Sequence, residues 1–532
     1  MTSSKRVFAG QRRVLSAVAL LLASVALAAC GGSGGGSGSS GGGSGGGSGG
    51  GSIAACEATL PQTIQNASNQ MQVVVDGGPC AAVTPTGGGT PVVQQVGSFN
   101  AAYTTVTVCV PGSASQCQTI DHVLVDTGSS GLRIMSSVLR SDMLSTSSGL
   151  PAVTSGNAPI IECSQFASGY SWGSVRAADV KIAGESTTKG APSGISIQVI
   201  GDSENVTKPF ACYSYLLPPN SPTTTPAPPA YDSVAAFFAN GILGVGLYVQ
   251  DCGFACSPSS QAIEGVYYAC PSGACGSSGI GLNAQQVSNP VTFFGTDNQG
   301  VILALPSLPA QSPGAQTLMG TLTFGLNTVP PGNGATPALG ANFLPVQSVY
   351  AASANALVAC VLTIKTTAGS SSVAVSDPIN AFYAYSLIDS GSNAVFLPIP
   401  GGSGVGNTIP TDTNGVWYTP SNPTEVDAVV QGAGTTCGTA PNTSYVVQSA
   451  NTLFSLNSQL DTALFGLAGP NALPAQANVS GIDFGLPYFY GKSIALAIEA
   501  VPNSAQATGY GPNTVRVPEN GTQSYQGPFW SF

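Results

Sequence analysis

The sequence predicts a mostly β chain made of two similar halves, each giving one aspartate to a shared site. Three observations carry this. Short apolar runs alternate with Gly, Pro and Ser clusters, and few stretches have a helical period, which is the pattern of many short strands. Val123-Leu124-Val125-Asp126-Thr127-Gly128-Ser129 reads as a buried strand running into a sharp turn, with Asp126 at its tip. Ser386-Leu387-Ile388-Asp389-Ser390-Gly391-Ser392 repeats that pattern far along the chain. One such turn is common, but a distant second copy points to paired carboxylates.

The elements follow in order. Lys5, Arg6, Arg12 and Arg13 precede the apolar run from Val14 to Ala29, which is short for a membrane span. It ends Leu27-Ala28-Ala29-Cys30. That resembles a bacterial lipobox, which implies cleavage before Cys30, lipid on its thiol, and anchoring to the cell envelope, at the outer membrane rather than the inner. Gly31 to Ser52 contains only Gly and Ser, a soft tether with a reach of about 25 Å. Residues 53–95 read as a Pro/Gly-rich extension. Tyr103 to Val110 alternates as a strand, Pro111 to Gln116 is a turn, and Ile120 to Val125 returns to deliver Asp126. The remaining length exceeds one ordinary β domain. The expected division is 1–29 leader, 30–52 lipidated linker, 53–95 extension, 96–328 first lobe, 329–505 second lobe and 506–532 tail.

Charge and rare residues exclude several chemistries. Of 13 basic residues four lie in the leader, so nine face 23 acidic ones and the chain after it carries −14. That argues against a nucleic-acid partner, whose phosphates call for a basic surface. The single histidine, His122, rules out a Ser-His-Asp triad beside any other use and any multi-histidine metal site. It is expected on the strand edge, with a general-base role as the alternative. No metal and no cofactor are expected.

With Cys30 set aside, twelve of the 13 cysteines remain, an even number in an exported chain. Neighbour spacing suggests Cys56–Cys80, Cys109–Cys117, Cys163–Cys212 and Cys360–Cys437, with two bonds among Cys252, Cys256, Cys270 and Cys275. Those last four have the one spacing that would also suit zinc; export favours disulfides.

Taken together, Asp126-Thr-Gly-Ser-Ser and Asp389-Ser-Gly-Ser resemble the two catalytic turns of the pepsin-like aspartic proteases. In that family each turn is crossed by a later strand of two apolar residues and a glycine. Asn240 to Tyr248 looks like the first such strand and Asp483 to Phe489 like the second. Gly320 to Gly325 and Phe343 to Val346 resemble pieces near the lobe junction, in the right order. The resemblance covers about 100–500 and implies a bilobal pepsin-like fold with a cleft between two β lobes. It also implies an aspartic-type endopeptidase, in an uncharacterised bacterial lipoprotein family.

The implied chemistry needs both acids. Hydrolysis without metal or nucleophile takes a base to activate water and an acid for the carbonyl oxygen. Two adjacent carboxyls sharing one proton supply both. Asp126 and Asp389 are the implied catalytic pair. Thr127, Gly128, Ser390 and Gly391 would fix the turns, and Ser129 and Ser392 would hydrogen-bond the outer oxygens. The chain departs from the family at the hairpin that covers the cleft: Phe166 falls at the usual tyrosine, with Tyr170 or Trp172 as substitutes. Arg133 replaces a frequent tryptophan; beside the pair it would lower carboxylate pKa values. The expected partners are a peptide or protein substrate and, through the lipid, a membrane, with the chain a monomer. The competing reading is a binding or adhesion lipoprotein that keeps the fold without turnover.

Overall fold

In the computed structural model, the alternating residues after Asn100 fold as expected. Strand β2, Ala102–Cys109, pairs antiparallel with β3, Cys117–Asp126. Val106, Val108, Ile120, Val123 and Val125 are buried, each contributing about 1.5–3 kcal/mol by leaving water. The Cys109–Cys117 disulfide closes the hairpin at its far end.

The structure describes residues 68–532 except 84–89, 188–193, 204–205, 219, 257–264, 272–273, 278–284, 309–313, 327–342, 346–356, 369–370, 376–380, 399–408, 433–440, 457–460, 471–480, 500–513, 517–523 and 527. The leader, Cys30, the Gly/Ser linker, Cys56 and Cys437 lie outside the described residues. The chain is mostly β, 44% strand and 12% helix. A 17-stranded sheet takes in strands between β1, Gln70–Val75, and Leu318–Phe324 and, from further on, Phe343–Pro345, Ser493–Ala497 and Phe529–Ser531, and an 8-stranded sheet takes in strands between Leu357 and Phe484. Gln70–Val75 pairs with Leu318–Phe324 along its whole length, and Phe529–Ser531 pairs with Ala495–Ala497. Parts of the expected extension and tail are thus built into the large sheet.

Two crossings matter for the site. After β3, the chain returns as β4, Ser130–Met135. A later strand, Gly241–Val245, inserts between them, parallel to β3 and antiparallel to β4. The second half repeats this. Ala381–Ile388 and Val395–Phe396 flank the aspartate turn, and Asp483–Phe484 inserts, parallel to the former and antiparallel to the latter. One apolar core holds Val125 and Leu243 together with Ile388, Phe484 and Leu486.

Disulfides join Cys109 to Cys117, Cys163 to Cys212, Cys252 to Cys256 and Cys270 to Cys275. The four cysteines whose spacing would suit zinc therefore pair as sequence neighbours. Cys80 and Cys360 are also disulfide-bonded.

Candidate active site

Each aspartate is caged by its own turn. The Gly128 amide donates to Asp126 Oδ1 at 2.7 Å, and the Ser129 hydroxyl donates to Asp126 Oδ2. The Gly391 amide donates to Asp389 Oδ1 at 2.8 Å, and the Ser392 hydroxyl to Asp389 Oδ2 at 2.9 Å. Both carboxyls are fully buried.

The two turns then clasp each other. Thr127 Oγ1 donates to the Ile388 carbonyl at 2.9 Å and accepts from the Ser390 amide at 2.9 Å. Ser390 Oγ donates to the Val125 carbonyl at 2.7 Å and accepts from the Thr127 amide at 3.1 Å. Hydroxyls serve here because each can donate and accept at once. The glycines are needed for closeness. A Cβ on Gly128 would lie 2.5 Å from Asp389 Cγ, and one on Gly391 would lie 2.7 Å from Asp126 Cγ. Residues 263 positions apart thus form one cluster.

Electrostatics distinguish one acid. Burial pushes the Asp389 carboxyl well above the usual range, the neighbouring Asp126 and Asp483 carboxylates push it further, and a hydrogen bond shared with Asp126 adds to this. The Gly391 amide opposes the rise. Two like charges so close cannot both ionise cheaply, so the pair holds a proton in common.

Residues 65–514 match the family described as a protein of unknown function, DUF3443. The chain belongs to that family. Among curated proteins none matches it. A crystal structure of an aspartic proteinase from Irpex lacteus is similar at 15% identity, covering 78% of this chain and 99% of that one, with a TM-score of 0.39. A likeness of that degree carries no weight beside the geometry.

In this DUF3443 protein Arg133 does not act on the aspartate pair as expected. It is buried, and its Nη2 donates to Glu162 Oε1 at 2.6 Å and to Asp251 Oδ2 at 3.1 Å. Its charge is spent on two acids brought from 29 and 118 positions away. Asp251 is nonetheless driven up, first by burial and then by the Glu162 charge. His122 is not on an exposed edge either. It is fully buried with φ +47° and lies between Asp121 Oδ2 at 2.9 Å and Asp76 Oδ2 at 3.2 Å. Burial pulls its pKa down, but the hydrogen bonds and charges of those two acids outweigh burial and raise it to about 9.

Ala158–Phe166 pairs with Gly169–Ile182 as a hairpin where the covering hairpin was expected, and its three candidate aromatics pack as follows. Phe166 packs on Tyr231 and Phe237. The Tyr170 hydroxyl donates to the Pro228 carbonyl, and Trp172 packs on Tyr268 while its Nε1 donates to the Ser203 carbonyl. Among the described contacts of these three, none is to Asp126 or Asp389. Sequence reasoning missed Asp483 as an acid of the site; the signal was a carboxylate standing where the crossing-strand pattern calls for an apolar residue. Among the described residues no group of three or more His, Cys, Asp or Glu could hold a metal ion, and no helix is long and apolar enough to cross a membrane.

Proposed function

We propose that the chain is an aspartic-type endopeptidase acting on peptide or protein substrates in a cleft between two lobes, 96–328 and 329–505. It is tethered to the bacterial envelope, at the outer membrane, by lipid on Cys30, and acts as a monomer. The observation that carries this reading is the reciprocal clasp of Thr127 and Ser390, which holds Asp126 and Asp389 in one buried, proton-sharing pair. A binding protein has no use for such a pair, which costs free energy to keep.

The chemistry follows from the shared proton. A water between the carboxyls attacks the substrate carbonyl carbon. Its proton passes to the ionised carboxyl while the protonated one gives its proton to the carbonyl oxygen. Collapse of the tetrahedral species breaks the C–N bond: the leaving nitrogen takes a proton from one carboxyl while a hydroxyl of the tetrahedral species gives its proton to the other, which restores the singly protonated pair. The proton belongs to the pair, so neither role is fixed to one residue. Ser129 and Ser392 hold the outer oxygens, leaving the inner ones for water.

Initial cleavage rates of a denatured protein from pH 2 to 7 test this. Asp126→Asn and Asp389→Asn should each lose at least about 10³-fold, with the double variant no worse. Circular dichroism should stay unchanged, and a pepstatin-type inhibitor should stop the wild type. Activity surviving in either variant excludes the mechanism. An inactive wild type favours the non-catalytic binding lipoprotein, a reading supported by the hairpin whose aromatics are occupied away from the acids.

A further inference from the structure

Asp483 lies on the inserted strand of the second crossing, beside Leu387, two residues before Asp389 in register. The first crossing has Ile242 at that place, beside Leu124. Asp483 is 2% exposed, and neither of its carboxyl oxygens has a hydrogen-bond partner. No strand residue packed against it is titratable: Leu387 and Ile388 lie on one side, Val395 and Phe396 on the other. The 3-10 turn that follows brings Tyr488, whose hydroxyl is paired with Thr443. Among the described residues, the charged groups that bear on it are acids, Asp389 and Asp126, with no lysine, arginine or histidine among them. Ser392 is close enough to act on its ionisation, although the one Ser392 hydroxyl proton goes to Asp389 Oδ2.

An unpaired carboxylate at this depth costs several kcal/mol, so Asp483 keeps its proton where ordinary carboxyls have lost theirs. Burial drives its pKa up, Ser392 opposes, and Asp126 adds to the rise. We propose that Asp483 is a third carboxyl of this site, a positioning residue that acts through Ser392 and by its charge to keep Asp389 protonated to higher pH. In the acid form its O–H donates to Ser392 Oγ, which donates to Asp389. As pH rises Asp483 loses its proton first, and the new anion holds the last proton on Asp389. The cluster then works closer to neutral pH than two carboxyls alone would.

The kinetic consequence rests on the peptidase reading; the proton count does not. Asp483→Asn keeps size and donor but cannot ionise. The upper-pH limb of its cleavage profile should fall by about one pH unit or more. A coincident limb overturns the proposal, as does an equal loss at every pH. Infrared titration of the protonated-carboxyl stretch needs no substrate. Wild type should retain protonated carboxyls above about pH 6, where exposed ones have none, and Asp389→Asn should lose one of them. In Asp483→Asn the remaining band should titrate about one unit lower. Absence of such a band in wild type sinks the third carboxyl even if the protein cleaves peptides. Its presence in a wild type that cleaves nothing sinks the peptidase reading alone. Asp483→Ser serves in place of the amide should that variant fail to fold.

Discussion

Around Asp126 the inserted strand Gly241–Val245 is apolar throughout, whereas around Asp389 its counterpart begins with an acid, Asp483. The hydrogen bonds of the two turns nevertheless correspond one for one: glycine amide, serine hydroxyl and crossed Thr/Ser pair. The amide of Gly246 donates to the Ser129 carbonyl as that of Leu486 does to the Ser392 carbonyl, both at 2.7 Å. Geometry is thus duplicated while charge is not. A clasp needs matched halves to close, while one acid on a neighbouring strand is enough to set the charge surroundings of the two carboxyls apart.

The sharpest way to break the matched geometry is to crowd it. Gly128→Ala and Gly391→Ala each place a methyl against the opposite carboxyl. Both should lower cleavage by about 10³-fold, roughly 4 kcal/mol, and to a similar degree, as read by initial rates and inhibitor binding. Unequal losses would show that the halves are not equivalent. Smaller effects follow from the clasp hydroxyls. Thr127→Val and Ser390→Ala each strand a buried carbonyl and a buried amide, costing about 2–4 kcal/mol. Urea midpoints should fall alike in the two, and the double variant should lose less than the sum because both belong to one network.

The smallest prediction concerns what lies upstream of the first turn. His122 has a folded pKa of about 9, above its unfolded value, so its contribution is full below about pH 6.5 and fades as pH rises to 9. Unfolding free energy should fall by about 1–3 kcal/mol over that window, and His122→Gln should flatten the slope. The hydrogen bond from His122 holds the Asp121 carboxyl below its usual range, so part of the same contribution fades at the acid end. An unchanged slope in the variant would assign the pH dependence to the aspartate cluster instead.

What was legible in the sequence was what is local. Strand, turn and serine follow one another within ten residues, so both cages could be read from their motifs, as could the Cys109–Cys117 hairpin. The partners of Arg133 could not, because Glu162 comes from a distant strand and Asp251 from a loop further on. The fate of Phe166, Tyr170 and Trp172 was hidden for the same reason. Their neighbours Tyr213, Tyr231 and Phe237 arrive from a later stretch with no regular period. Asp483 was visible as a letter but not as an acid of the site, since its meaning depends on which strand it inserts beside.

The hairpin tip is tied down by two tyrosines. The Tyr215 hydroxyl donates to the Phe166 and Gly169 carbonyls, and the Tyr231 hydroxyl to the Ser168 carbonyl. Cys163 on the hairpin's first strand is bonded to Cys212, just before Tyr215. The hairpin and the 210–231 stretch are therefore one mechanical part, and any rocking of the hairpin carries that stretch with it. Under reduction the covalent tie is lost while the tyrosine hydrogen bonds stay. Reduction of Cys163–Cys212 thus leaves hydrogen bonds from Tyr215 and Tyr231 as the hairpin tip's remaining links to that stretch.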